Sequence, residues 1–416
     1  MISIPWKWAG AAAMALILAG WLPFSQSSQD SPRRFELYTT PGKSLSGPLE
    51  LLTAEGQIKL TGVSPRMTST QWLTLRRLGA DVPAHPLTAQ VVFTSGDRVP
   101  IADLSALSIV DGSLSFEPAP PIQIQGSRFN APKSTVAMIW LGPPPDAAEP
   151  SLLLRQLLAL EPESDLVRLQ QGDKMEGVIT ALDSKWLKIN VRKRETTIPL
   201  ETIQAIVFRG ANRIACAPAG RYTHVVLDNG TRLAVVAAAV KAGGSVLGGR
   251  TAFDESVSIP LSNVMALDVR GGVATYLSDI EPSKYTHTAF LGPSWPLVRD
   301  GSASGRALKL GNSTWDKGLG THAECRVVYS LAGNYRWFEA RVGLDPVFGK
   351  RGRVKVRVLV DGQERDLGGK ELTAADGPLQ IRVDTRGGKE LTLEVLCAGF
   401  GDVEAHVNWA DARLLK

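Results

Sequence analysis

In the last third of the chain, apolar and polar positions alternate with a period of two. Val354, Val356, Val358 and Val360 interleave with Lys355, Arg357 and Leu359, and Asp361-Gly362 follows as a hairpin turn signal. Leu379, Ile381 and Val383 repeat the pattern, as do Leu391, Leu393 and Val395. Such alternation predicts antiparallel strands with one face on a core and one in water. Strands at regular spacing over 274–416 predict a β-sandwich.

The middle of the chain shows a different order. Ile198–Phe208 (IPLETIQAIVF) has a counterpart in Ile259–Val269 (IPLSNVMALDV) and a weaker one in Ala131–Leu141 (APKSTVAMIWL). In each, a proline is followed four residues later by Val or Ile and then by a strand-like run. The units also open alike, with VRLQQG at 167–172, VVLDNG at 225–230 and VVFTSG at 91–96. A fourth opening starts at Gly42, where Leu45, Gly47 and Leu49 mirror Met175, Gly177 and Ile179. The pattern predicts small repeated β-units that are similar to SH3-like or Sm-like barrels. They fill 35–146 (two weak repeats) and 164–273 (two clearer ones). Between them, Leu152–Leu160 is the only strongly helical stretch, and it predicts a linker helix within 151–163.

The N-terminus breaks both patterns. Trp8–Phe24 carries no charge, Lys7 precedes it and a Ser/Gln-rich stretch follows. This predicts a signal peptide or signal-anchor over 1–29. The expected location is therefore outside the cytoplasm, in the periplasm or cell envelope, with membrane contact only through that segment.

Composition sharpens the picture in three places. The 416 residues are 44% apolar and 21% charged, which excludes a wholly disordered chain, a collagen-like fibre and a multi-span membrane protein. The 40 glycines and 26 prolines favour turns and short strands over long helices. Lys and Arg (46) exceed Asp and Glu (41) by five, a weak field for this length. Arg192-Lys193-Arg194 is the one basic cluster in the repeats and lacks interleaved aromatics, so it reads as a solvated hairpin tip and no nucleic-acid partner is expected. Three cysteines make no disulfide framework.

The residues of 274–416 carry an ordered set of motifs. Tyr276–Asp279 (YLSD) opens it, and Gly318–Ala323 (GLGTHA) leads into the strand Arg326–Leu331. Phe338–Asp345 (FEARVGLD), Val358–Gly362 (VLVDG) and His406–Leu414 (HVNWADARL) complete it. This set resembles the NPCBM/NEW2 domain, a carbohydrate-binding module with a galactose-binding-like jelly-roll. In the family the last motif usually reads Asp-His-x-Asp-Trp; here Ala405 and Asn408 replace the two acids. The resemblance implies a glycan partner, a galactose-type sugar or a cell-wall polysaccharide. A structural calcium is known in such folds, but no Asp/Asn-rich loop indicates one here, and no cofactor is expected.

Sugars need flat rings against their C–H faces and paired donors and acceptors for their hydroxyls. The candidate contacts are Trp315, His322, Trp337, Arg341, His406 and Asn408. Trp315, in the polar loop 312–317, is the leading stacking ring; Trp409 reads as core. Asp345 and Asp361 read as turn residues. Cys325 and Cys397 leave a disulfide open, with Cys216 single.

No metal-ligand spacing, nucleophile elbow or P-loop occurs among the motifs. The small β-units leave no room for a catalytic barrel. The expected function is an exported, non-catalytic carbohydrate-binding protein. Two other readings stand beside it: a cell-envelope protein-interaction scaffold whose jelly-roll has lost sugar binding, and a cryptic glycosidase.

Overall fold

Four turns in the first two thirds of the chain close with one hydrogen-bond scheme. Thr39, Phe93, Leu169 and Leu227 each donate N–H to the carbonyl four residues on, at 2.8–3.0 Å, and accept from the glycine three residues on. Those glycines, Gly42, Gly96, Gly172 and Gly230, have φ between 85° and 101°. The residue after each opening position then binds the far end of its own unit: Thr40 to Gln71, Thr94 to Thr135, Gln170 to Thr202 and Asp228 to Asn263. In three of the four units that far end is a single 3₁₀ turn, Lys133–Thr135, Leu200–Thr202 or Leu261–Asn263. A proline caps each of these turns with φ between −55° and −61°, the value its ring enforces.

These details come from a computed structural model that describes residues 33–63, 65–210, 217–290, 292–399 and 401–416. The expectations for residues 1–29 and for Cys216 fall outside the described residues. Among the described residues, no helix is long and apolar enough to cross a membrane.

After each 3₁₀ turn comes a strand buried along its whole length: Val136–Trp140, Ile203–Val207 and Val264–Arg270. Both faces of these strands are covered, which is why they read as near-continuous apolar runs. The same strands fuse the units edge to edge. Met138–Trp140 pairs antiparallel with Ala205–Val207, and Arg76–Thr74 pairs with Ala266–Asp268. One apolar core runs through all four units, from Phe35 and Leu37 to Leu267 and Val269. The helix spans Pro150–Leu158, with proline in its first turn, where a missing N–H costs nothing. Its Leu154 and Leu157 pack beside Trp140, Ala205 and Val207. The Arg192-Lys193 tip is exposed and has φ of 50° and 64°, the backbone of a tight hairpin.

The turn glycines differ in their surroundings, and this gives a prediction. A Cβ at Gly96 would meet nothing within 4 Å, whereas at Gly230 it would lie 2.5 Å from the Ala84 carbonyl oxygen. Gly96→Ala should cost only the left-handed backbone penalty, about 1–2 kcal/mol. Gly230→Ala should cost measurably more, as read from urea midpoints. Equal losses would show that the Ala84 contact has no weight.

Residues 274–416 form two antiparallel sheets. The first is ordered Val298–Arg299, Gly318–His322, His406–Leu415, Trp337–Leu344, Leu379–Asp384, with Ala274–Tyr276 also on His406–Leu415. The second is ordered Lys284–His287, Cys325–Ser330, Glu390–Cys397, Arg353–Val360, Gln363–Arg365, with Glu371–Thr373 also on Arg353–Val360. Phe338, Val342, Val407 and Trp409 from the first sheet meet Val327, Tyr329, Val358 and Leu393 from the second. Trp409 is fully buried, and its Nε1 donates to Thr321 Oγ1 at 3.2 Å.

The outer face of the first sheet is covered by the hairpin Leu308–Leu310/Ser313–Trp315. That hairpin also docks on the first β-body. Thr314 donates N–H to the Val82 carbonyl (3.0 Å) and Ser313 Oγ to Asp81 (3.0 Å). Asp316, at its end, enters a socket formed by His85 Nε2 (2.7 Å), His224 Nε2 (3.1 Å) and Arg232 Nε (3.1 Å). Arg232 is 1% exposed and also binds the carbonyls of Gly230 and Pro83.

Burial and the neighbouring arginines push His85 down to about 3 and His224 down to about 4, so both stay neutral at pH 7 and donate to the carboxylate. In the unfolded chain a histidine protonates near pH 6.5. Stability from these two groups is therefore full above about pH 6.5 and is lost as pH falls toward 4. The slope approaches about 3 kcal/mol per pH unit for two protons. Urea midpoints from pH 7 to 4 should show this loss, and His85→Gln/His224→Gln should flatten it.

Candidate functional site

His322 ends the strand Gly318–His322 and lies directly opposite His406, the first residue of His406–Leu415. The register thus brings two of the sequence candidates together at one end of the sandwich. Their ring centroids are 4.7 Å apart and nearly perpendicular (82°). Trp295 stacks on His322 (4.9 Å, 19°) and meets His406 edge-on (4.9 Å, 78°). His287 lies 5.6 Å from His322, and Phe348 5.6 Å from His406. The Arg306 guanidinium covers Phe348 at 4.3 Å and pairs with Glu149.

The hydrogen bonds assign the tautomers. His287 Nδ1 lies 3.3 Å from the Trp295 N–H and accepts from it, leaving Nε2 to face the Ala323 carbonyl at 3.3 Å. His322 Nδ1 is 2.7 Å from the same carbonyl and donates to it, so its Nε2 is an unused acceptor. His406 makes no side-chain hydrogen bond among the described residues, although it is only 7% exposed. Burial, reinforced by His406, pushes His322 down to about 4; burial also lowers His406. At neutral pH the site therefore presents uncharged imidazoles beside an indole. It can accept hydroxyl protons and offer a ring face. Among the described residues, no group of three His, Cys, Asp or Glu side chains is placed to hold a metal ion.

The other candidates lie elsewhere. Trp315 is not loop-borne: it ends the strand Ser313–Trp315, is 8% exposed and packs with Leu308, Leu310 and Ala410. Its ring is sandwiched by Arg76 (4.7 Å) and Arg341 (5.1 Å). Arg341 also faces the Tyr38 ring at 5.1 Å and Asp411 at 3.8 Å, so it too belongs to the junction with the first β-body. The half-buried Trp337 is capped by Arg382 (4.4 Å), which binds the Thr40 carbonyl (2.8 Å). Asn408 is fully buried and ties the Lys309 carbonyl (2.9 Å) to Asp345 (3.2 Å), so it holds the covering hairpin in place. These four are junction and framework residues.

Cys325 and Cys397 are free thiols: Cys325 faces Val395, two positions from Cys397. Burial pushes the Cys325 thiol up to about 12. Asp345 and Asp361 serve turns, each accepting two backbone N–H groups.

Sequence reasoning missed Trp295, His287 and Phe348. Trp295 had a usable signal, since it stands in Gly292-Pro293-Ser294-Trp295-Pro296, where two prolines keep the chain out of a ladder.

The two facing antiparallel sheets make the C-terminal body a β-sandwich. Residues 273–415 match the family model of the NPCBM/NEW2 domain, and this third of the chain is a domain of that family. A curated relative from Renibacterium salmoninarum, named "Putative endo-alpha-N-acetylgalactosaminidase", is 29% identical over 155 residues, which cover 34% of this chain and 10% of the relative. The chain thus spans about a tenth of that relative's length. Among solved structures, CBM51 from Clostridium perfringens GH95 in complex with methyl-galactose is 27% identical, covering 34% of this chain and 99% of that one, with a TM-score of 0.31. The CBM51-2 and INT domains of Clostridium perfringens ZmpB are 24% identical, covering 48% and 38%, with a TM-score of 0.32.

Proposed function

We propose that this chain is a non-catalytic glycan-binding protein that holds a sugar at the His322–His406–Trp295 end of its NPCBM/NEW2 domain. The observation that carries this reading is the pair of neutral imidazoles with unused ring nitrogens beside an aromatic face. A neutral acceptor next to a ring suits a sugar, whose hydroxyls donate while its C–H face stacks. The curated relative's name directs the first probes to galactose-configured sugars, N-acetylgalactosamine among them. Glycoside hydrolysis uses a pair of carboxyl groups flanking the bond, and the groups that converge here are imidazoles and rings instead. Export, through residues 1–29, belongs to the same proposal, because such glycans lie outside the cytoplasm.

A glycan array probed with the full chain tests the reading. Binding to a restricted set of galactose- or N-acetylgalactosamine-containing glycans is expected. An array with no bound glycan, or turnover of a chromogenic glycoside by the purified chain, would sink it. The scaffold reading draws on one observation of its own: Trp315, Arg341 and Trp337 are spent on packing against the first β-body.

A further inference from the structure

A cleft of about 590 Å³ lies where the first β-body meets the sandwich, and Asp316, His85 and His224 of the socket form part of its wall. Its lining sets four cations, Arg98, Arg155, Arg270 and Lys317, against three carboxylates, Asp279, Asp300 and Asp316. Arg98, from the strand Arg98–Pro100, is 8% exposed, and Arg270, at the end of Val264–Arg270, is 9% exposed. Among the described residues, neither guanidinium makes an ion pair or a side-chain hydrogen bond. Of the nearby carboxylates, Asp316 is engaged by Arg232 and two histidines and Asp268 by Arg76 at 3.0 Å, while Asp97, 1% exposed and without an ion pair among the described residues, lies within the field of Arg270. Lys317 reaches the same cleft with its ammonium on Asp300 (2.8 Å) and Asp279. Arg155, from the linker helix, lines it as well, and its Nε is held by the Gly305 carbonyl at 3.0 Å. Ser278 adds a buried hydroxyl with no partner.

Burial of Arg98 without an ion-pair partner is costly, whereas at Arg270 the cost of burial is outweighed by Tyr276, Tyr222, Asp268 and Asp316, which hold that guanidinium above its usual range. Burial and the proximity of Arg155 push Arg98 down to about 9, against the opposing pull of Asp316. Guanidinium groups match oxyanions through paired N–H donors, and a cleft of this size takes a small organic molecule.

We propose that this cleft is a second ligand site, which takes a small molecule carrying an oxyanion (a carboxylate or a phosphoryl group) between Arg98 and Arg270. It is separate from the imidazole site and does not depend on that site binding sugar. An occupant there touches both halves of the molecule, so it would also clamp the sandwich to the first β-body.

The test uses the full chain at constant ionic strength, with inorganic phosphate, glucuronate and glucose as probes. Calorimetric titration should show saturable binding of phosphate or glucuronate and none of glucose to the cleft. Phosphate alone would assign a phosphoryl group, and glucuronate alone a carboxylate. Arg98→Met and Arg270→Met should each weaken the bound anion at least about tenfold, the weight of a charge-assisted hydrogen bond. Glycan binding at the sandwich end should be unchanged in Arg98→Met, which separates failure of one site from failure of the other. Should either variant fold poorly, the wild-type melting temperature decides: a rise with the anion over chloride supports the site. No binding or melting shift with either anion, equal affinity in both variants, or equal binding of glucose would overturn it.

Discussion

Asp316→Ala is expected to destabilise the chain by about 3–5 kcal/mol, the cost of leaving a buried charge without its partner. Asp316 is the counter-ion of Arg232, which is 1% exposed and cannot turn to water. The same carboxylate accepts from His85 and His224, so its loss orphans two further buried donors. Asp316→Asn keeps the size and one acceptor but loses the charge, and it should fall between wild type and alanine. Trp315, which precedes Asp316 on the same hairpin, is one of ten tryptophans, so indole fluorescence reports unfolding of the whole chain. Urea unfolding followed at that signal should shift to lower midpoint in the order wild type, Asn, Ala. A loss below about 1 kcal/mol for the alanine variant would mean that the socket does not hold the two halves together.

The second large effect concerns the imidazole site. Trp295→Ala removes the ring face, and His406→Ala removes nitrogens that have no hydrogen-bond partner among the described residues. Each should weaken glycan binding by about 10–100-fold, the range for an orphaned polar contact or a lost stacking ring. His406 is 7% exposed and packs on the Trp295, His322 and Phe348 rings, so His406→Ala should also lower the melting temperature, whereas Trp295→Ala, at a half-buried ring, should move it less. Trp315→Phe, by contrast, should leave binding intact and lower stability. The opposite pattern would assign the stacking ring to Trp315 in place of Trp295.

Much of the architecture was readable because it depends on local rules. The alternation at Val354–Val360 and Leu391–Val395 became strands whose inward residues are buried. The proline-led segments at 132, 199 and 260 became 3₁₀ turns, since proline sets the required φ. What local rules do not carry is which outer face another body will cover. Trp315 and Trp295 both sit in polar, turn-rich stretches. Trp315 was taken for the exposed ring because nothing in its neighbourhood announces that Arg76, from a strand far away in sequence, will lie over it. Trp295 was passed over although flanking prolines marked it as unable to join a ladder. Asn408 sits two residues from His406, on the same side of its strand, yet aromatic rings meet that face at His406 and the hairpin covers it at Asn408. His322 and His406 were legible as a pair only through the family motifs, and their cross-strand register supplies the contact.

The central claim is that sugar is held by His322 and His406 beside Trp295. Isothermal titration of the full chain and of His322→Ala/His406→Ala, against the glycan the array selects, tests it most directly. The account predicts a saturable isotherm for wild type and no measurable heat for the folded double variant. Undiminished binding by that variant would contradict it.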